Sequence, residues 1–476
     1  MGPYYRRSRV MPAEGRDPGS RRVSKVVTAE RLAMSLLPLE EQVGKLRTAL
    51  HTKAKAEPGY RFYALYDKLY RPDVLELAYK RCRTNQGAAG VDHQTFEDIE
   101  AYGAGRWLRE LMEELQSKAY QPRPVRRVWI PKADGKQRPL GIPTIRDRVV
   151  QMAAVLVLEA IFEADLQPEQ HAYRPGKSAL EAIKEVQRLL DAGYREVVDA
   201  DLSGYFDSIP HHELMQCVAR RISDRHLLRL VKLWLEAPVE EADERGRLVR
   251  TTRNKDEGRG TPQGGVASPL LANLYMRRFV LGWKVLGHAD RLNAHIVNYA
   301  DDFVICCRRG SALQAMAVMR NMMSKLRLTV NEKKTRRCCL PEDTFTFLGY
   351  TFGRCYSRRS GGEYIGPRPA AHKVQRLCRS LSEHTNRRTC LQDTADKVRT
   401  LNQLLNGWAN YFCLGPVVRV YETVMKHVQR RLRRWLCDKH RVWVGMYKRF
   451  PNEYLHQRLG LTQLGVTGHS QLWAKV

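Results

Sequence analysis

The stretch RLNAHIVNYADDFVICC, residues 291–307, carries the strongest structural signal in the chain. Apolar runs typical of β-strands flank the tetrapeptide Tyr299-Ala300-Asp301-Asp302, so the pattern predicts a hairpin with both acids on its turn. Neighbouring side chains on one strand point to opposite faces, whereas a turn lets two adjacent carboxylates reach the same metal ion. A solvated acidic turn is the alternative, and the tetrapeptide alone favours that alternative.

A second acidic segment, VVDADLSGYFDSI at residues 197–209, shifts the balance towards a metal site. Side chains alternate along the predicted strand, so Asp199 and Asp201 share one face while Leu202 points away. Asp201 is the better ligand candidate. It lies at the end of the predicted strand, shortly before a glycine where the chain can turn beneath a phosphate. Asp199 and Asp207 are interpreted as strand-end or surface acids.

Asp201, Asp301 and Asp302 together give three carboxylates on two neighbouring strands. Oxygen ligands of this kind suit Mg²⁺, which keeps some of its waters and takes further ligands from substrate phosphates. The chemistry this predicts is nucleotidyl transfer with two ions about 3.5–4 Å apart. The three aspartates are the predicted catalytic residues.

A series of motifs in this order resembles the reverse transcriptase/maturase that bacterial group II introns encode. The motifs are NQGAAGVD (85–92), VWIPKADGKQRPLGIPTIRDRVVQ (128–151), QHAYRPGKSALEAI (170–183), VVDADLSGYFDSI (197–209), GTPQGGVASPLLANLYM (260–276), YADD (299–302), LTVNEKKT (328–335), FTFLGYTF (345–352) and LNQLLNGWANYF (401–412). The resemblance implies an α+β fold, a right-hand polymerase with fingers and palm followed by an α-helical thumb and maturase domain.

The fingers motif contains a hairpin signal of its own. Asp134-Gly135 between two short apolar runs predicts a type I′ turn, with Lys132 and Arg138 near its tip. Two cations there suit closure over a triphosphate, because Arg can bind it bidentately and Lys acts as a point charge. A solvated basic hairpin is the alternative.

The resemblance implies roles for further residues. It adds Leu202 to the metal site, and it places Phe206 beneath the sugar of the incoming nucleotide, where a flat ring blocks a 2′-hydroxyl. An ordinary core aromatic is the competing interpretation of Phe206. Gln263 is assigned to the nucleotide and template pocket. Lys334 resembles a lysine near the leaving pyrophosphate that can act as a general acid, with the adjacent Lys333 as an alternative.

The charge of the chain predicts a polyanionic partner. A formal net charge of +30 and a pI near 9.9 exceed what solubility requires. In residues 417–436 an apolar stripe recurs at helical spacing and arginines cover the remainder, although a solvated basic face is an equal alternative for each arginine. The predicted RNA-binding residues are Arg126, Arg127, Arg430, Arg431, Arg433 and Arg434.

Eleven scattered cysteines without a Cys-x-x-Cys pair favour neither a zinc knuckle nor a disulfide framework, and they indicate a reducing cytoplasm. No run of eighteen apolar residues occurs, so no membrane span is expected. Residues 1 to about 30 are predicted to form a flexible basic arm rather than a secretory signal.

Four segments are predicted: a basic arm and helix over 1–56, fingers and palm over 57–355, a helical thumb and maturase domain over 356–440, and a short basic tail over 441–476, for which DNA binding is one interpretation. Helices are expected over 38–56 and 61–83. The tail is too short for an RNase H domain and has no HNH-type cysteine and histidine pairs, so priming from a pre-existing 3′ end is expected.

The resemblance therefore implies an RNA-directed DNA polymerase that also binds its group II intron RNA and assists splicing and retromobility. The expected partners are that RNA, a DNA target and primer, and dNTPs, in a ribonucleoprotein of the bacterial cytoplasm and nucleoid, as a monomer or a dimer. A domesticated enzyme with a host splicing, repair or defence role is the alternative. The maturase-like segment at 401–412 weighs against a retron-type enzyme.

Overall fold

The fold is described from a computed structural model of the chain. The structure describes residues 38–131, 137–243, 247–357, 360–442 and 444–465. Predictions outside the described residues concern the basic arm through about residue 30, Lys132 and the Asp134-Gly135 turn.

Five helices open the described chain, and three of them pack against the long helix that follows the fingers hairpin. They are α1 (Leu39–Ala56), α2 (Tyr66–Leu69), α3 (Pro72–Thr84), α4 (Phe96–Tyr102) and α5 (Ala104–Gln116). The helix predicted over 38–56 is confirmed. The single helix predicted over 61–83 is wrong, because Pro72 holds Arg71 in extended backbone and the chain starts a new helix there.

The fingers hairpin is confirmed in its two arms. Strand β1 (Val125–Pro131) pairs antiparallel with β2 (Gln137–Ile142) along its length. The hairpin leads into α6 (Ile145–Phe162), which is buried on almost every side. The Thr144 side chain caps this helix by accepting a hydrogen bond from the Asp147 amide.

The palm then alternates helices and strands, as predicted. Its elements are α7 (Ala179–Asp191), β3 (Glu196–Ala200), α8 (Tyr205–Ser208), α9 (His211–Ala219), α10 (Arg225–Leu235), β4 (Val239–Ala242), β5 (Leu248–Thr251), α11 (Arg253–Asp256), α12 (Ser268–Val285), α13 (His288–Arg291), β6 (Ala294–Tyr299), β7 (Asp302–Cys307), α14 (Ala312–Lys325) and β8 (Arg336–Cys339). β4 extends the fingers sheet by pairing in parallel with β1.

The central palm sheet has the strand order β6-β7-β3-β8, and each neighbouring pair is antiparallel. Val197 faces the cluster that contains α7, and Val198 faces the cluster that contains α12 and α14, so both faces of the sheet are covered. Because β3 ends at Ala200 and β7 begins at Asp302, the two acidic segments meet at the same end of the sheet.

Three further strands follow the palm sheet, namely β9 (Phe345–Phe347), β10 (Tyr350–Tyr356) and β11 (Glu363–Pro369). β11 pairs with β10 inside the segment predicted to be helical from residue 356, so that prediction is wrong there. β11 is the edge strand of this sheet, which explains how it accommodates Pro367 and Pro369.

The rest of the described chain is helical. It contains α15 (Ala371–His384), a 3₁₀ helix (Arg387–Thr389), α16 (Thr394–Tyr411), α17 (Val418–His440), α18 (Met446–Arg449) and a π-helical turn (Tyr454–Arg458). The predicted apolar stripe of α17 is confirmed, since Val424, Val428 and Leu432 are fully buried. Phe450 and Leu455 join the same core, so the predicted separate tail after 440 packs onto the helical domain through these residues. Within the described part of the chain, no helix combines the length and hydrophobicity that a membrane span requires.

Arg433 contradicts its predicted role in RNA binding. Its side chain is only 4% exposed. Its Nε donates to the Phe450 carbonyl oxygen at 2.8 Å, and a terminal nitrogen donates to the Asn452 side chain. The guanidinium therefore joins α17 to the segment after it, and it is not available to a phosphate.

Arg431 is also engaged within the protein. Its guanidinium donates to the carbonyl oxygens of Ser382 and Thr385, each at 2.9 Å, at the C-terminal end of α15. A cation that satisfies the last carbonyls of a helix stabilises that helix. Arg430 and Arg434 are exposed on the opposite side of α17, and they remain the RNA-binding candidates on this helix.

Replacing Arg433 by Gln should lower the free energy of unfolding by about 2 kcal/mol, because the Phe450 carbonyl and the Asn452 side chain lose their donor in a buried place. The matched variant Arg434→Gln removes the same charge from the exposed surface and should cost less than about 0.5 kcal/mol. Denaturant unfolding of both variants measures the difference. Equal losses would show that Arg433 has no structural role.

Candidate active site

The acidic hairpin forms as the sequence predicts. Tyr299 of β6 pairs with Asp302 of β7, so Ala300 and Asp301 are the two turn residues. Ala300 has a φ of +58°, a left-handed conformation that is unfavourable for alanine. The buried Asn298 holds this turn by donating its side-chain amide to the Ala300 carbonyl oxygen at 2.9 Å. Asp301 therefore lies in the turn itself, and Asp302 is the first residue of β7.

Strand register brings Asp201 to the same place. Ala200 pairs with Phe303 in the antiparallel β3–β7 ladder, so the next residue of each strand places Asp201 opposite Asp302. Leu202 follows, and its side chain points away as predicted, only 4% exposed in the core. A leucine side chain offers no ligand atom, so only the backbone carbonyl of Leu202 stays in the predicted metal site.

Two residues of the NEKKT motif contact Asp201. The Asn331 side-chain amide donates to Asp201 Oδ2 at 2.9 Å, and Lys334 Nζ lies 3.2 Å from the same oxygen. Lys333 is exposed. Of the two lysines that the sequence left open, the structure places Lys334 at the carboxylates. Asn331 was missed, although it belongs to a motif already singled out.

Asp302 shows that the site concentrates negative charge. Its side chain keeps an exposed face, yet its pKa is raised to about 6. Partial desolvation is the largest cause, the charges of Asp301, Asp201 and Asp199 add to it, and Lys334 offsets part of the rise. Repulsion among carboxylates is relieved when a cation is bound between them.

The donor set fits a hard divalent cation. Asp201, Asp301 and Asp302 offer only carboxylate oxygens, which Mg²⁺ prefers, and no cysteine or histidine is among them. In the described ranges, no group of three or more His, Cys, Asp or Glu side chains is arranged to hold a metal ion. Mg²⁺ usually takes only part of its ligands from the protein and the rest from water and substrate phosphates.

Phe206 lies on the short helix α8, directly after the strand that ends beside the carboxylates. Its ring is 8% exposed and belongs to the palm core. The Phe206 carbonyl oxygen accepts a hydrogen bond from the Thr261 amide at 2.7 Å, which ties α8 to the GTPQGG loop. The position beside this loop fits the predicted nucleotide pocket, and the burial fits the core alternative.

The fingers hairpin contacts the GTPQGG loop through backbone atoms. The Gly141 amide donates to the Gln263 carbonyl oxygen at 2.5 Å. A Cβ at Gly264, whose φ is +111°, would lie 2.3 Å from the Gly141 carbonyl oxygen, so a side chain there is incompatible with this contact. Glycine at position 264 therefore lets β2 pack directly on the loop.

The Gln263 side chain links two charged residues. Arg138 Nε donates to Gln263 Oε1 at 3.0 Å, and Gln263 Nε2 donates to Asp207 Oδ2 at 2.9 Å. Partial desolvation raises the pKa of Asp207, while the nearby Arg127 and this hydrogen bond lower it. The sequence assigned Asp207 to the surface. Its contact with Gln263 could not be anticipated, because 56 residues separate the two in the chain.

Tyr173 is a second residue that the sequence did not assign. It belongs to the QHAY motif, has a φ of +52° and is 48% exposed. Its pKa is raised by desolvation and then by the charge of Asp301, which places the phenol near the acidic turn. The same motif holds the hairpin, since the His171 amide donates to the Asn298 carbonyl oxygen at 2.9 Å.

Arg126 and Arg127 lie on β1, on the arm of the fingers hairpin that pairs with β4. Both are half-buried. The Arg127 guanidinium lies 5.9 Å from the centre of the Trp129 ring. These positions are on the fingers rather than on the helical domain, so they are separate from Arg430 and Arg434.

Replacing Asp302 by Asn should stabilise the metal-free protein above about pH 6. The folded-state pKa of about 6 exceeds the ordinary value of 3.8, so the stability that Asp302 contributes is fully present below 3.8 and is lost as the pH rises through 6. The variant should therefore melt above wild type near pH 7.5, with a smaller difference near pH 5. Thermal melts in EDTA at both pH values measure this, and a constant difference would refute a raised pKa of Asp302.

Comparison with known proteins agrees with this geometry. A family model for reverse transcriptase (RNA-dependent DNA polymerase) matches residues 130–352, and one for the group II intron maturase-specific domain matches residues 374–454. Protein YkfC of Escherichia coli (strain K12) is 34% identical over 355 residues, which cover 66% of this chain and 90% of YkfC.

Intron-encoded proteins are similar over smaller shares of their length. Group II intron-encoded protein LtrA of Lactococcus lactis subsp. cremoris is 35% identical over 230 residues, which cover 47% of this chain and 36% of LtrA. The putative COX1/OXI3 intron 1 protein of Saccharomyces cerevisiae is 26% identical over 432 residues, 79% of this chain and 47% of that protein. The chain thus spans half or less of these two relatives. On these matches, the chain belongs to the family of group II intron-encoded reverse transcriptases and maturases.

Proposed function

We propose that this chain synthesises DNA on an RNA template from a primer 3′-hydroxyl, with Mg²⁺ held by Asp201, Asp301 and Asp302. The observation that carries the proposal is the meeting of these three carboxylates at one end of the palm sheet, where partial desolvation and then their mutual repulsion raise the pKa of Asp302. Bound Mg²⁺ would activate the attacking hydroxyl and stabilise the leaving pyrophosphate.

The side chains around the carboxylates bind and orient the substrates. Arg138 lies on β2 of the fingers hairpin, where it can bind the triphosphate, and Lys132, outside the described residues, is proposed for the same role. Gln263 lies between that hairpin and α8, where it can contact the nucleotide and template. Lys334 lies beside Asp201 and can give a proton to the pyrophosphate as it leaves.

The second part of the proposal is that the chain binds group II intron RNA and assists its splicing and mobility. The exposed arginines Arg430 and Arg434 on α17, and Arg126 and Arg127 on the fingers, supply cations on two separate parts of the molecule. A long RNA that contacts several surfaces explains the net charge of +30 better than one small ligand does. Binding of this kind needs no catalytic residue of the protein.

We place the boundary between palm and helical domain near Ala370, rather than at 355, because β11 pairs with β10 and α15 starts at Ala371. The eleven free cysteines, several of them buried, support a reducing bacterial cytoplasm as the location. There the protein would act in a ribonucleoprotein with its intron RNA, close to the DNA target in the nucleoid.

Asp301→Asn should abolish cDNA synthesis, by at least about a thousandfold, because the amide keeps the shape of the side chain and removes the charge that holds the metal. Intron RNA affinity and splicing assistance should stay within about twofold of wild type, since the RNA-binding arginines lie elsewhere. Primer extension and RNA binding on the same folded preparation measure both. Loss of both activities together would contradict the separation of roles.

Phe206→Val should increase ribonucleotide incorporation relative to deoxynucleotide by about tenfold or more, because it opens space for a 2′-hydroxyl. As a control for core disruption, Phe303→Leu alters an aromatic side chain in the same core and should leave sugar discrimination unchanged. Single-nucleotide extension with dNTP and rNTP gives the ratio. Unchanged discrimination in Phe206→Val would identify Phe206 as a core aromatic only.

A further inference from the structure

A chain of three polar side chains connects the fingers hairpin to α8. Arg138 Nε donates to Gln263 Oε1 at 3.0 Å, and Gln263 Nε2 donates to Asp207 Oδ2 at 2.9 Å. Each residue comes from a different part of the sequence, namely β2, the GTPQGG loop and α8. None of the three contacts an oxygen of the metal-site aspartates in the described structure.

The hydrogen-bonding inventory of these groups allows only one arrangement. A carboxylate can only accept hydrogen bonds and a guanidinium can only donate them, whereas an amide has one end of each kind. Asp207 therefore forces the NH₂ end of the Gln263 amide towards itself. The amide oxygen must then face Arg138, where it accepts a hydrogen bond from Nε. The two terminal nitrogens of the guanidinium take no part in this hydrogen bond.

We propose that Asp207 is a positioning residue for the incoming nucleotide: it fixes the orientation of the Gln263 amide, which in turn holds the Arg138 guanidinium with its terminal nitrogens directed to the triphosphate. This inference rests on the proposed polymerase function. Asp207 itself touches neither nucleotide nor metal in this account.

Backbone hydrogen bonds hold both Gln263 and Asp207 in place. Gln263 is held from one side by the Gly141 amide, which donates to its carbonyl oxygen at 2.5 Å. Asp207 is held by α8, where its amide donates to the Gly204 carbonyl oxygen at 3.0 Å. These contacts fix the backbone at both residues, so the hydrogen bond to Asp207 holds the end of the Gln263 side chain.

Of the three residues, Arg138 is the one whose side chain is ordered by these hydrogen bonds. It is exposed, and a free arginine side chain loses rotamer entropy when it becomes ordered. An acceptor on Nε orders the guanidinium before the nucleotide arrives, so less of that cost falls on nucleotide binding. Asp207 acts through this ordering, and its loss should therefore appear in nucleotide affinity rather than in the chemical step.

The test is Asp207→Asn, which keeps the size of the side chain but lets it donate as well as accept. The new amide can donate to Gln263 Oε1, so the Gln263 side chain can flip, and its Oε1 is then no longer the acceptor for Arg138 Nε. The KM for dNTP should rise about tenfold while kcat stays within about twofold. Asp256→Asn makes the same change at an exposed aspartate on α11 outside the chain of three residues, and it should leave both constants unchanged.

A double-mutant cycle with Arg138→Gln separates positioning from a merely structural role. If Asp207 acts through Arg138, adding Asp207→Asn to Arg138→Gln should change the dNTP KM by less than about twofold, because the oriented group is already absent. A tenfold loss in both backgrounds, an equal loss of kcat, or no effect of Asp207→Asn in either background would overturn the proposal.

A binding measurement keeps this inference distinct from the polymerase function. The dNTP Kd is measured on a complex of the full chain with a dideoxy-terminated primer annealed to an RNA template, where no chemistry is required. Weaker dNTP binding by Asp207→Asn supports the proposal even if primer extension fails in wild type. Equal dNTP Kd values for wild type and Asp207→Asn overturn it, even where wild type extends primers normally.

Discussion

The antiparallel register of β3 and β7 is the constraint on which the site depends. Ala200 pairs with Phe303 in the β3–β7 ladder. The adjacent residues, Asp201 just after β3 and Asp302 at the start of β7, therefore face one another. A shift of one residue would turn one carboxylate to the other face of the sheet. Apolar residues on both faces, such as Val197 and Val198, fix the register because each must stay in its own core cluster. Packing therefore brings like charges together, and a cation stabilises them.

The fingers contact the palm at glycine positions where a side chain would clash. Gly264 and Gly141 bring the GTPQGG loop and β2 within direct backbone contact, and the Arg138, Gln263 and Asp207 side chains continue the same connection. The proposed nucleotide pocket thus shares the contacts that join the fingers to the palm. A change at the loop affects the orientation of the fingers cations as well as local stability.

Local patterns in the sequence predicted those parts of the site that neighbouring residues form. Apolar runs on both sides of two acids predicted the YADD hairpin, alternation along the strand put Asp201 forward as a ligand, and the family resemblance added Gln263 and Lys334. Contacts between distant segments were not predictable, since nothing in the spacing pairs Asp207 with Gln263 or Asn331 with Asp201.

In the helical domain, the sequence likewise failed to predict the contacts of a charged residue and the strand near the start of the segment. Helical spacing correctly gave the apolar stripe of α17, but it could not show that Arg433 reaches the Phe450 carbonyl oxygen from within that stripe. An arginine can bury its aliphatic stem while its guanidinium donates to hydrogen-bond acceptors. Sequence composition alone does not distinguish such an arginine from an exposed one. β11 was missed because prolines in an edge strand resemble a loop in sequence.

Site-directed cleavage by a redox-active ion tests the central claim, that Asp201, Asp301 and Asp302 hold one divalent cation site, most directly. Fe²⁺ in place of Mg²⁺ generates hydroxyl radicals on reduction of peroxide, and these cut the backbone next to the ion. The account predicts two sets of cuts, near residue 201 and near residues 301–302, both suppressed by excess Mg²⁺. Cuts at one of these segments alone, or at neither, would contradict a shared metal site.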